Sequence, residues 1–170
     1  DLTTSPIKAS TLSLSYFFAS AISTLIICFA TYGICLVYLA SIGWYMSFAD
    51  IMLSIFDVFL LVLFGTSLSS LINFGLSTQG HASAVGTIIS SGYGFICGAY
   101  MPISNFGEGL QNVISFLPGT YGTSLIRNHS MRGTFAALER EAGVPRQFID
   151  SLRDSIDCNL YFFGEKVSIS

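Results

Sequence analysis

A long uncharged segment near the start of the chain constrains the fold most. Residues 9–49 contain no charged side chain, a run of 41 residues. About 20 consecutive apolar residues are enough to cross the hydrocarbon core of a bilayer. The apolar core of a signal peptide has only about 7–15 residues, so this run is too long to be one. The sequence therefore predicts an integral membrane protein.

Composition supports a membrane protein and excludes one class of partner. Hydrophobic residues make up 52% of the chain and charged residues only 10%, whereas charged residues make up roughly a quarter of a soluble domain. The net charge is −3, and the 7 Lys and Arg residues form no patch. Because nucleic-acid binding depends on clustered positive charge, no nucleic-acid partner is expected.

Hydrophobicity predicts three long membrane spans, at 12–43, 49–76 and 82–101. The first span has 32 residues, and a continuous helix of that length would measure about 48 Å. It must therefore tilt, protrude or break. Trp44 and Tyr45 follow it, and such side chains favour the membrane–water boundary. They mark where the first span leaves the hydrocarbon core.

The chain after the third span is interrupted twice by proline. Pro102 ends that span, because proline cannot continue a helix without losing a backbone hydrogen bond. Segment 107–117 follows, with a one-sided apolar stripe that ends at Pro118. Its 11 residues cover roughly 16 Å, about half a hydrocarbon core. With a second short helix at 120–127, they predict a re-entrant pair of half-helices beside a translocation path. The stripe consists of Leu110, Val113, Ile114 and Leu117.

Two acidic residues fall in the second predicted span. A charged side chain inside a membrane is costly and indicates a functional site by default. Asp57 is therefore a candidate for the substrate path. It also lies close to the aromatic boundary, where a carboxylate reaches water, so a boundary role stays open. Asp50, near the start of the span, is favourable next to the positive end of a helix dipole.

Metal-binding and catalytic patterns are weak throughout the sequence. Cys28 and Cys35 share a helix face but lack a nearby His or carboxylate, and His81 lacks a second ligand, so no metal site is predicted. Glu139 and Glu141 are two residues apart and do not share a helix face, which argues against a catalytic carboxylate pair. The G-x-x-x-x-G-K-[ST] phosphate loop does not occur in this sequence. We therefore expect neither an enzyme nor an ATPase site on this chain.

The last part of the chain is polar and charge-balanced. A helix is predicted at 134–142, closed by Gly143, and Pro145 opens another at a first helical position. No sheet is expected. The fold class is thus an all-α membrane protein with three long transmembrane helices, a re-entrant half-helix pair and a small helical tail outside the membrane.

An ordered set of motifs resembles a known transporter family. The pattern G-A-x-x-P-I-S, an amphipathic half-helix, L-P-x-x-Y and then Arg is similar to the last third of the membrane subunit of ABC-2 type ABC transporters. Residues 1–7, DLTTSPI, resemble the cytoplasmic coupling segment before the third span of that family. The resemblance implies two further spans before residue 1 and one after residue 170. The residues that carry it are Gly98, Pro102, Ile103, Leu117, Pro118, Tyr121 and Arg127.

The resemblance assigns a role to each segment. It implies a coupling contact with an ATP-binding subunit by Thr4, Ser5, Pro6, Ile7 and Lys8. It implies an outer gate that involves Gly98, Pro102, Leu110, Ile114, Leu117, Pro118 and Tyr121. The segments are a cytoplasmic coupling segment at 1–10, a three-span region at 11–101, re-entrant half-helices at 102–127 and an extracellular helical segment at 128–170.

The resemblance also implies the partners and the membrane. We expect a multi-pass permease in the cell membrane, paired with a second permease subunit as a homodimer or heterodimer. ATP and Mg²⁺ would be held by the ATP-binding subunit, and this chain would bind no cofactor. The resemblance places the tail outside, although a positive-inside count would place its Arg residues inside.

Two other functions remain open, and the substrate is not specified by the sequence. A secondary transporter or channel would work without an ATPase, and such carriers often contain paired broken helices in inverted repeats. The pattern at 98–127 has no second copy in this chain. A membrane scaffold whose tail binds a partner is the other alternative.

Overall fold

The computed structural model describes residues 8–75, 79–162 and 165–167. Apart from one short hairpin, the regular structure of these residues is helical, as the sequence predicts. The helices are α1 (Ala9–Ile42), α2 (Phe48–Phe74), α3 (Gln79–Ile96), α4 (Glu108–Ile114), α5 (Pro118–Glu141) and α6 (Arg146–Ser155), with a 3₁₀ turn at Ile103–Asn105 and strands β1 (Leu160–Phe162) and β2 (Glu165–Val167).

Two of these helices, α1 and α2, are long and apolar enough to cross a membrane. They correspond to the predicted spans at 12–43 and 49–76. The third predicted span, 82–101, forms a helix that ends earlier, at Ile96. Its crossing of the membrane stays a prediction.

A capping box forms the start of the second helix. Ser47 is the N-cap of α2, and its backbone N–H donates a hydrogen bond to the Asp50 carboxylate at 3.1 Å. Such a reciprocal pair satisfies backbone donors that the first turn of a helix leaves unpaired. Asp50 therefore has the helix N-terminal role that its position predicts.

The predicted half-helix at 120–127 and the predicted tail helix at 134–142 are wrong as separate elements. They form one helix, α5, which has 24 residues and carries Pro118 in its first turn, where proline costs no hydrogen bond. The predicted segment boundary between residues 127 and 128 falls inside it. A mid-helix glycine, Gly133, costs about 1 kcal/mol relative to alanine. Glycine is nevertheless needed at this position, because a Cβ atom there would overlap the Tyr45 carbonyl oxygen.

The most extensive helix contact joins α2 and α5. Gly122 of α5 faces Leu61 of α2, and His129, two turns further along α5, contacts Asp57. As the residue number rises along α5, the number of the contacted residue on α2 falls, so the two helices run antiparallel. Small residues at such an interface allow the backbones to approach closely.

The tail has a small apolar core between α5 and α6. Phe135, Ile149 and Cys158 form its buried centre, with Met131, Leu138, Val144, Leu152 and Ile156 around it. After this core the chain forms an antiparallel hairpin, in which Leu160 pairs with Val167. The expectation that no sheet occurs is wrong at this point. Tyr161 and Phe162 have high strand propensity, which favours a strand at this point.

Candidate functional site

The chain turns back sharply after α3. Gly98 has a φ of 75°, a left-handed conformation that favours glycine. A Cβ there would also lie only 2.9 Å from Cγ1 of Ile103. The next helix, α4, has 7 residues and is about 10 Å long, so it cannot cross a hydrocarbon core of about 30 Å. That length suits a re-entrant or interfacial helix; its depth in the membrane stays a prediction.

The carboxylate of Asp157 holds this turn against the end of the chain. It accepts hydrogen bonds from the backbone N–H groups of Ile103 and, at 3.3 Å, Ser104. It also forms an ion pair with Arg127, with 3.8 Å between Nη1 and Oδ2. Asp157 has a φ of 54°, a region that aspartate enters more readily than most residues. A residue that follows α6 therefore fixes the start of the 3₁₀ turn.

Helix α5 completes the same network. The Ser124 hydroxyl donates to the backbone carbonyl of Asp157 at 2.9 Å, and the Arg127 guanidinium donates to the carbonyl of Gly98. Three parts of the chain thus meet here: the turn after α3, the middle of α5 and the segment after α6. We call this set the Asp157 network; its members are Gly98, Ile103, Ser104, Ser124, Arg127 and Asp157.

A buried acid–histidine pair links α2 to α5. His129 Nδ1 lies 2.6 Å from Asp57 Oδ2, and the two residues are 8% and 6% exposed. Two titratable groups this deeply buried are retained in a membrane protein only when they satisfy each other. Asp57 is therefore buried against His129. Its choice between a role in the substrate path and a role at the membrane boundary stays a prediction.

A cavity of about 240 Å³ lies beside this pair. It is mainly apolar and sits between α2 and the first turns of α5, where Phe64, Pro118 and Tyr121 line it together with Asp57. Asp57 supplies the only charged side chain among the lining residues. Whether this cavity belongs to the substrate path stays a prediction.

The predicted gate residues fall into two groups. Ile114 is 1% exposed, and Thr120 donates a hydrogen bond to its carbonyl, so it is part of the packed interior. Leu110 and Val113, on the same predicted stripe, are exposed. Leu117 is the N-cap of α5 rather than the end of α4. The predicted helix at 107–117 is therefore shorter than expected.

The coupling residues can be placed only in part. Thr4, Ser5, Pro6 and Ile7 lie outside the described residues. Lys8 is exposed and forms the N-cap of α1 without a side-chain hydrogen bond there. Pro102, the remaining predicted gate residue, precedes the 3₁₀ turn as its N-cap.

Sequence reasoning missed His129, Ser124 and Asp157. His129 and Ser124 fall in different predicted segments, although they belong to one helix, and their spacing of five residues marks no common face. Asp157 lies 54 residues from its hydrogen-bond partner Ile103, a separation that no local pattern reveals.

A buried thiol in the tail shows that water is excluded from this region. Cys158 has no exposed surface, and burial raises the pKa of its thiol in spite of nearby Arg153 and Arg127. Such desolvation favours the neutral form. Within the described part of the chain, no group of three or more His, Cys, Asp and Glu side chains could hold a metal ion.

Comparison with known families gives one result over most of the chain. The model of the ABC-2 type transporter family matches residues 1–129, a stretch that contains α1 to α4 and the first half of α5. No curated protein and no solved structure matches the chain. The match covers the turn after α3, Asp57 and His129, whereas Asp157 lies beyond it. The chain belongs to the ABC-2 type transporter family and is a membrane component of an ABC-type transporter.

Proposed function

We propose that this chain is the permease subunit of an ABC exporter in the cell membrane. It forms part of the substrate path and the outer gate, and a separate ATP-binding subunit binds ATP and Mg²⁺. The family match over residues 1–129 carries the proposal. The two long apolar helices support a place in the membrane, and α3 is proposed as a third span. A second permease subunit completes the path.

The outer gate consists of α4 and the turn before it. Two observations support this role. Helix α4 is too short to cross the membrane. It is also fixed at both ends, because the Asp157 network holds the turn before it and α5 begins at Pro118 directly after it. Because Ile114 is packed and Val113 is 64% exposed, the helix has one anchored side and one side toward lipid or a partner subunit. Such an element can pivot without unfolding its anchor.

The coupling contact is assigned to Thr4, Ser5, Pro6, Ile7 and Lys8. These residues directly precede α1, which begins at Ala9, so a push on them would be transmitted along the first span. The substrate path has two candidate parts. One is the apolar cavity beside Asp57, and the other is a groove of about 330 Å³ between α2 and α3. The groove is lined by small and apolar residues that include Gly65, Gly86 and Ile89.

Cross-linking tests the coupling contact. Cysteines placed by Ser5→Cys and Ile7→Cys should cross-link to a co-purifying chain that carries a G-x-x-x-x-G-K-[ST] loop. Leu14→Cys, on the exposed surface of α1, is the control that should not. Failure of any ATP-binding chain to co-purify would favour a secondary carrier or a scaffold. Labelling of Ser5→Cys only from outside the cell would overturn the orientation.

Accessibility tests the gate. Tyr121 lies in the first turn of α5 and lines the cavity beside Asp57, so Tyr121→Cys should react slowly with a membrane-impermeant maleimide in the nucleotide-free complex. Trapping the ATP-binding subunit with vanadate should change that rate about tenfold or more, since a gate must alternate between closed and open states. Phe148→Cys, exposed on α6, should react equally in both states. Equal rates at Tyr121→Cys in both states would contradict the gate, and mass spectrometry identifies the labelled site.

A further inference from the structure

A charged cleft lies between α5 and α6, away from the proposed path. One face of α5, residues 132–139, and one face of α6, residues 146–153, line a volume of about 380 Å³. The lining residues follow the i, i+3, i+4, i+7 spacing of a helix face on both sides. Phe135 and Ile149 are buried at its floor, so charged side chains surround an apolar base.

The arginines of this cleft are not all neutralised. Arg146 pairs with Glu139, with 2.5 Å between Nε and Oε1. Arg132 and Arg153 form no ion pair within the described part of the chain, and Asp150 is the only other acid among the lining residues. Two unpaired guanidinium groups thus stand against one exposed carboxylate. The cleft has an excess of one positive charge.

Arg153 is held in place, and one of its hydrogen-bond donors is unsatisfied. Its guanidinium carbon lies 5.7 Å from the centroid of the Phe135 ring, a cation–π distance. One Nη group reaches the Asn128 side chain at 3.5 Å. Its Nε is buried and finds no acceptor among the described residues. A buried donor of this kind is costly unless a ligand accepts its hydrogen bond.

The cleft also lies next to the residues that are predicted to mark the membrane surface. Arg132 directly precedes Gly133, whose position abuts the backbone of Tyr45. Trp44 and Tyr45 are half-exposed and belong to the short connection between α1 and α2, where aromatic side chains mark the membrane–water boundary. Lipid phosphates lie at this boundary, so Arg132 is at their height.

We propose that this cleft binds a phosphate group through Arg153 and Arg132. The guanidinium group matches phosphate oxygens with two parallel hydrogen bonds, and the spare donor of Arg153 would meet one of them. The phosphate comes from a lipid headgroup or from free phosphate. The site shares no lining residue with the two cavities of the proposed path, and it goes beyond the proposed permease function.

Native mass spectrometry of the full chain in detergent micelles tests the site. The probes are dioctanoyl phosphatidylglycerol, inorganic phosphate and dioctanoylglycerol, which lacks a phosphate. Phosphatidylglycerol should bind, and dioctanoylglycerol should not. Binding of inorganic phosphate with equal affinity would identify free phosphate as the ligand, whereas tighter binding of the lipid would identify a headgroup. Equal binding of dioctanoylglycerol, or binding of none of the three, would overturn the proposal.

Three variants and a matched control locate the site. Arg153→Gln and Arg132→Gln should each weaken phosphatidylglycerol binding about tenfold, the effect of losing a charge-assisted hydrogen bond. Asp150→Asn should strengthen it, because a repelling carboxylate is removed. Arg140→Gln, on an exposed residue of α5 outside the cleft, should leave it unchanged. Arg132 is exposed, so its replacement does not threaten folding, and unchanged affinity in Arg132→Gln would contradict the assignment.

Discussion

Helices α1 and α2 are equally apolar but have different surroundings. The most apolar 18-residue stretch of each helix has a mean hydropathy of 2.2, yet 0% of that stretch is buried in α1 and 17% in α2. The buried residues of α2 are mostly polar: Asp50, Ser54, Asp57, Val62 and Thr66. In α1 the hydroxyls of Ser15, Thr24, Thr31 and Ser41 are exposed and bond to their own helix backbone.

This difference shows what determines helix packing in a bilayer. Lipid tails are as apolar as leucine, so hydrophobicity alone does not bring two membrane helices together. Polar and small residues do, and on α2 three polar residues, Asp50, Ser54 and Asp57, recur at helical spacing. Mean hydropathy therefore identifies a span, whereas the spacing of its polar residues identifies the face that meets protein.

The largest effect is expected from breaking the pair between α2 and α5. Asp57→Ala should lower the free energy of unfolding by about 3 kcal/mol, because it leaves the buried His129 without its partner. Asp57→Asn keeps a hydrogen-bonding group of similar size and should cost clearly less. Chemical denaturation in detergent micelles, followed by circular dichroism, measures both. An equal cost for the two variants, or a cost below about 1 kcal/mol for Asp57→Ala, would mean that the pair does not hold α5 on α2.

Two glycines test the difference in packing between the helices. Gly133 lies in α5, which packs against α2, and Gly33 lies in α1. Gly133→Ala should destabilise the protein by about 2 kcal/mol, since the added methyl group overlaps the backbone of Tyr45. At Gly33, in α1, a Cβ meets nothing within 4 Å, and Gly33→Ala should stabilise the helix by about 1 kcal/mol. The same denaturation experiment compares them. Matching signs would show that α1 is packed against protein at Gly33, or that α5 does not approach Tyr45.

The sequence predicts those features that depend on local or bulk properties. Length and hydropathy locate α1 and α2, and Asp50 marks the start of α2. Pro118 is predicted only as the end of a helix, whereas in the structure it is the first residue of α5. The continuity of α5 could not be read in this way, because Gly133 looks like a helix-weakening residue until the backbone of Tyr45 is known to lie against it. Local pattern does not contain such tertiary information.

The candidate site shows the same limit more strongly. The sequence singles out Asp57 as an unusual residue but not His129, 72 positions away, which makes its burial tolerable. It identifies the break at Gly98 and Pro102 but not Asp157, which fixes the following turn. Charged residues inside a protein are determined by their partners, and these partners come from distant parts of the chain.

The smallest effect is expected at Ser54, and its sign is opposite to that of the Asp57 and Gly133 variants. Ser54 lies one turn before Asp57 on the same face of α2, is fully buried, and its hydroxyl has no hydrogen-bond partner among the described residues. A buried hydroxyl without a partner costs about 1 kcal/mol or more. Ser54→Ala should therefore leave stability unchanged or raise it by up to about 1 kcal/mol, in contrast to Asp57→Ala three residues away. A loss of more than about 1 kcal/mol would reveal a partner for this hydroxyl and would extend the polar contact between α2 and α5 beyond the Asp57 and His129 pair.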